Sequence, residues 1–153
     1  MAFHLHRIGL STTALKDVLG LSVVQAREYR LGRVPLNMQD VRAFSSALNL
    51  EPNELARPLS VDESLEWRFY RVSARHVPEV WSKIGVILKE HRFAATRAAS
   101  LVCIDATDFR RLIKGEKHTP VLQRPPACKL AAALGLEAPE VFIAGLIPPS
   151  LCR

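Results

Sequence analysis

The sequence predicts an all-α protein made of two tandem helical bundles joined by a helical segment. Three observations carry that expectation. The chain repeats itself at long range. Its apolar residues recur at helical spacing, and no stretch shows the strict alternation of a strand. Residues that start and stop helices punctuate both copies. A shift of 83 residues aligns Gly9–Arg33 with Arg92–Glu116 without a gap. Thr13 then meets Thr96, Arg27 meets Arg110 and Gly32 meets Gly115, while Leu10, Leu15, Leu19, Leu21 and Tyr29 fall on Phe93, Ala98, Val102, Ile104 and Leu112. After the glycines the second copy carries three extra residues and the offset becomes 86, so that Phe44, Ala47, Leu48, Leu50, Glu51 and Glu54 meet Leu130, Ala133, Leu134, Leu136, Glu137 and Glu140. A pattern that runs through about 45 positions with one insertion marks a supersecondary unit used twice.

In the first copy, Thr12–Leu19 reads as a helix ended by Gly20, which suits a left-handed C-cap. Ser22 caps Val23–Leu31, which stops at Gly32, and Pro35 lies in the loop that follows. Asn37 caps Met38–Leu48, with Val41, Phe44, Ala47 and Leu48 on one face. A short helix begins near Pro52. His4 and His6 are expected on a ragged, solvent-facing terminus and not as a metal pair.

Between the copies, Asp62 is expected to cap a helix with Leu65, Phe69 and Val72 on one stripe and Trp67 and Tyr70 on the next. That is too apolar for a free linker, and it is expected to pack between the units or against a second subunit. In the second copy Pro78 opens a longer helix in which Val80, Ile84, Ile87, Leu88 and His91 repeat at helical spacing. Ala95–Val102 follows, then Ala106–Lys114 capped by Asp105, a loop with Pro120, Pro125 and Pro126, and two last helices, Ala127–Leu134 and Pro139–Ala144. The expected organisation is an N-terminal unit at 1–59, a connector at 60–76 and a C-terminal unit at 77–153.

Composition narrows the function. Hydrophobic residues make up 48% of the chain and the formal net charge is +6, so it has the means to bury a core and to attract a polyanion. Residues 1–60 hold 7 basic and 5 acidic residues; residues 76–153 hold 11 and 7. Cys103, Cys128 and Cys152 are far apart and form no CxxC or CxxH pair, so reduced thiols in a cytoplasm are expected, with no disulfide framework, metal or other cofactor. The apolar runs are too short to span a bilayer, and MAFHLHRIGL does not read as a signal peptide. With no phosphate-binding loop, GxSxG or HExxH, the chain is not expected to be an enzyme.

The first copy strings together Leu10-Ser11, Leu15, Leu19-Gly20-Leu21-Ser22, Gly32, Pro35, Ala47-Leu48-Asn49-Leu50 and Glu54-Leu55. This resembles the Cro/repressor type of helix-turn-helix, the XRE family. The second copy resembles it through Ile84-Gly85, Leu88-Lys89, Ile104-Asp105, Lys114-Gly115-Glu116 and Ala133-Leu134-Gly135-Leu136. The resemblance implies two tandem lambda-repressor-like helix-turn-helix bundles and a double-stranded DNA-binding regulator, a repressor of a mobile element or a bacterial operon. It implies that Ser22, Val23, Val24, Gln25 and Glu28, with Arg27 beside them, face DNA in the first copy. In the second it implies Ala106, Thr107, Asp108 and Arg111, with Arg110 beside them and Lys114 further along. Valines suit thymine methyls, Gln25 suits adenine, and arginine grips guanine O6 and N7 or pairs with phosphate. Lys16, Arg30 and Arg33 are candidate phosphate contacts or ordinary surface charges. Cys103 stands where the first copy has Gly20, a departure at a turn that needs positive φ. Val23 and Val24 are alternatively half-buried packing residues. A homodimer is expected from the apolar stock at 65–72 and 142–151. The competing reading is a protein-interaction regulator, an anti-activator or antitoxin that uses one or both units as docking surfaces.

Overall fold

The computed structural model describes residues 2–147, and all regular structure among them is helical. Cys152 and positions 148–151 of the C-terminal apolar stretch lie outside the described residues. The chain divides after Glu63 into two compact units.

The first unit holds α1 (Ala2–Arg7), α2 (Thr12–Leu19), α3 (Val23–Arg30), α4 (Met38–Leu48), α5 (Pro52–Ala56) and the first residues of α6 (Val61–Arg75). Local chemistry sets the boundaries. Ser11, Ser22 and Asn37 each accept a backbone N–H of the first turn they precede, from Ala14, Gln25 and Asp40. Asn49 ends α4 in the left-handed conformation. Leu5, Leu15, Ala26, Val41, Phe44 and Leu55 form the core, each burial removing apolar surface from water.

Three expectations fail in this unit. The N-terminus is not ragged: α1 buries Phe3 and Leu5, and His4 is only partly exposed, because the stretch carries its own apolar anchors. Ala47 is exposed, because Ser45 lies nearer the centre of the inward stripe of Val41, Phe44 and Leu48 and takes the buried place. Asp62 does not cap α6 but lies within it. Ser60 Oγ accepts from Glu63 N at 3.2 Å, and the Glu63 carboxylate accepts from Ser60 N at 3.0 Å. That carboxylate also takes two 2.6 Å hydrogen bonds from Arg57 and one of 3.2 Å from Arg7.

The second unit holds the rest of α6, α7 (Val77–Glu90), α8 (Ala95–Leu101), α9 (Ala106–Ile113), α10 (Arg124–Ala133) and two 3-10 turns, Pro139–Phe142 and Ala144–Leu146. Trp81, Ile84, Phe109, Leu112, Leu130 and Phe142 are fully buried together with Phe69 of α6. The Trp81 ring meets Phe109 edge-on at 5.8 Å, and its indole N–H donates to the Pro120 carbonyl at 2.9 Å. Pro125 and Pro126, expected in a loop, open α10, where a missing N–H costs no helical hydrogen bond. The expected Pro139–Ala144 helix is two short 3-10 turns that part at Ile143.

The helix boundaries follow the sequence offset. α3 and α9 correspond end to end at 83 residues, and α1 ends at Arg7 where α7 ends at Glu90. Among the described residues, eight have a left-handed backbone, and they form four pairs at the two offsets: Gly9 with Arg92, Gly20 with Cys103, Gly32 with Gly115, and Asn49 with Gly135. The turns repeat even where the residue type does not.

Candidate nucleic-acid interface

The turn before α3 is set by Gly20, at φ 62°. Cys103 adopts the same conformation before α9, at φ 57°, so the residue that departs from glycine keeps the turn. Past each turn a polar cap fixes the next helix. Ser22 and Gln25 make a reciprocal capping box in the first unit. In the second, Asp105 Oδ1 accepts from Thr107 N at 2.8 Å and from Asp108 N at 3.3 Å. These bonds, the one from Asp108 first, hold the Asp105 carboxyl below the usual range.

The inward faces match. Ala26 is fully buried, as are Phe109 and Leu112, and half-buried Tyr29 packs edge-on against Phe44 at 4.8 Å. The outward faces do not match. Val23 and Val24 are 60% and 70% exposed, so they are surface residues and not packing ones. Gln25 Oε1 accepts from Ser22 N at 3.0 Å. Its carbonyl oxygen is thereby engaged in the cap, so the two-bond contact expected with adenine would have to use that oxygen's second lone pair with the amide held in place. Ser22 is likewise engaged in capping.

Lys16, Arg30 and Arg33 each have a partner within the first unit. Arg33 bonds Glu28 at 3.2 Å, Lys16 lies 3.1 Å from Asp17, and Arg30 donates to Thr12 Oγ1 at 3.1 Å. Arg27 is exposed.

On α9, Ala106 is half-buried, and Thr107, Arg110 and Arg111 are exposed, as is Lys114 at its C-cap. Arg110 and Lys114 make no ion pair among the described residues. Arg111 lies between two carboxylates, 3.9 Å from Asp108 and 4.0 Å from Glu116. Asp108 in turn takes the Lys117 ammonium at 2.8 Å. The sequence missed two of these features. Glu28 and Arg33 correspond at the 83-residue offset to Arg111 and Glu116, one pair with its charges exchanged, and the alignment alone displays it. Lys117 lies in a loop that is three residues longer than its counterpart in the first unit, and no pattern foretold its reach to Asp108.

The centre of the outward face is therefore acidic on α3, at Glu28, and basic on α9, at Arg111. A helix with its side chains is about 10–12 Å across, and a B-DNA major groove is about 12 Å wide, so α9 has both the size and the charge to enter one. Comparison with known proteins finds no matching family model, curated protein or solved structure.

Proposed function

We propose that the chain is a sequence-specific double-stranded DNA-binding transcriptional regulator, built as two tandem lambda-repressor-like helix-turn-helix bundles, with α9 as its principal reader. One observation carries the reading: Arg110, Arg111 and Lys114 lie exposed on a capped helix that follows a left-handed turn. Two of these cations make no ion pair among the described residues. The third is flanked at 3.9 and 4.0 Å, too far for hydrogen bonds, so its guanidinium keeps its donors for a ligand. Thr107 and Arg111 face base edges in this reading, while Arg110 and Lys114 meet phosphate. Repression of a mobile element or bacterial operon by a homodimer is the proposed setting, although Phe69, Phe142 and Ile143 of the apolar stretches expected to pair are buried within the second unit's own core.

A specific observation favours a different use for α3. Val23 and Val24 leave large apolar side chains exposed in its first turn, Glu28 is acidic, and Gln25 is engaged in the cap. That face suits protein docking better than a polyanion. The test of both readings is selection from a random duplex pool with the full chain. A single enriched motif that survives exchange of Val23 and Val24 for serine, and disappears with Arg111→Ala, is the expected result. Recovery of no enriched motif would refute the DNA-binding proposal.

A further inference from the structure

The third residue of each outward-facing helix starts from a similar place and does different work. In α3 it is Gln25, whose side chain turns back to accept from Ser22 N. In α9 it is Asp108, at the matching position. Asp is one methylene shorter than the Glu or Gln of a capping box, and here the Asp105 side chain caps the helix by itself, accepting from Thr107 N and Asp108 N. The Asp108 side chain is released from capping and bridges two cations: Oδ2 takes Lys117 Nζ at 2.8 Å, and Oδ1 lies 3.9 Å from Arg111 Nη1. Glu116 flanks the far side of the same guanidinium, 4.0 Å from Nε. The order along the surface is Lys117, Asp108, Arg111, Glu116, alternating in sign and neutral as a set.

Lys117 lies in the lengthened loop after α9. Between Gly115 and the start of α10 the second unit has three residues more than the first has between Gly32 and α4. The longer loop is secured beyond Lys117 by the bond from the Trp81 indole to the Pro120 carbonyl. Near a polyanion, a lone carboxylate on the reading helix would repel. A carboxylate shared by two cations is offset locally, and it limits where both long side chains can go. An exposed ion pair alone restrains little, whereas a linked set of charges restrains more.

We propose, resting on the reading of α9 as a DNA reader, that Asp108 is a positioning residue and not a base contact. It aims Arg111 at a base edge and Lys117, which the first unit lacks, at an adjoining phosphate. Arg111 makes no hydrogen bond among the described residues, so Asp108 and Glu116 steer its planar fork without occupying it. When phosphate approaches, Lys117 exchanges Asp108 for the stronger anion field of the duplex, and Asp108 keeps its attraction for Arg111.

The test uses the full chain with the sequence enriched from a random duplex pool and a random duplex as competitor. Lys117→Met is expected to reduce the slope of log affinity against log salt by about 0.9, the share of one phosphate contact, with sequence preference retained. Asp108→Asn removes the bridge charge. Affinity for random duplex then rises while preference for the enriched sequence falls about tenfold, and Asp108→Glu restores the preference. Both residues are half-buried, so helical circular dichroism checks that each variant stays folded. Equal gains on both duplexes with Asp108→Asn would show simple repulsion and overturn the positioning role. An unchanged salt slope with Lys117→Met would overturn the phosphate contact. If the wild-type chain binds no duplex at low salt, the DNA reading itself falls; if it binds and only these variants misbehave, this proposal alone falls.

Discussion

Replacing Gly20 by alanine isolates the cost of one backbone conformation. Gly20 has φ 62°, and a Cβ added there would meet no heavy atom within 4 Å. The penalty is therefore conformational and not steric. Holding an L-residue in the left-handed region costs about 1–2 kcal/mol. Stiffening the unfolded chain returns about 0.4–1 kcal/mol. The net loss expected for Gly20→Ala is about 1 kcal/mol, a fall in melting temperature of about 4–8 °C for a unit of this size. Cys103 occupies the matching turn at φ 57° without being glycine. Cys103→Gly should therefore shift the second unit the other way by a similar amount. Thermal and urea unfolding followed by far-ultraviolet circular dichroism read both effects. A neutral or stabilising Gly20→Ala, or a destabilising Cys103→Gly, would refute the equivalence of the two turns.

Three further outcomes are expected. Arg111→Ala should weaken binding to the enriched sequence by about 1–3 kcal/mol, with Arg110→Ala acting evenly on all sequences; competition binding separates the two. Phe109→Ala should cost about 3–5 kcal/mol, because the ring is fully buried against Trp81, so the cooperative unfolding transition of the second unit should weaken or vanish. Acid should destabilise the first unit in two stages. Burial, followed by nearby positive charge, lowers the His4 pKa, so as pH falls through about 6.5 the unfolded chain gains a proton that the folded chain resists. Glu63 is held at about 2 by its hydrogen bonds, that from Arg57 first, so its contribution is present above its ordinary value of 4.5 and is lost as pH falls from there toward 2. Unfolding curves of Glu63→Gln should lack the second stage and keep the first.

Much of the fold was legible because it rests on local chemistry. Gly20, Ser22, Asn37 and Asp105 act within a few residues of themselves, and helix bounds follow them closely. What escaped depends on neighbours distant in sequence. The anchoring of α1 needs Phe3 and Leu5 to find a core, and no cap or breaker announces it. Pro125 and Pro126 read as loop residues until a helix begins at Arg124 and makes their missing N–H groups harmless. At the candidate site, residue types on α3 and α9 were readable, whereas side-chain engagement was not. Gln25 is spent on a cap three residues back, and Asp108 on a lysine nine residues ahead. Neither choice follows from helical periodicity, because both depend on what the adjoining turn or loop supplies.

The most direct measurement is a salt titration of the full chain on random duplex, with wild type beside the Arg110→Ala, Lys114→Ala double variant. If α9 meets DNA with its free cations, wild-type affinity falls steeply as salt rises, and the double variant loses about two units of the log–log slope while staying folded. No wild-type binding at low salt, or two identical slopes, would contradict it.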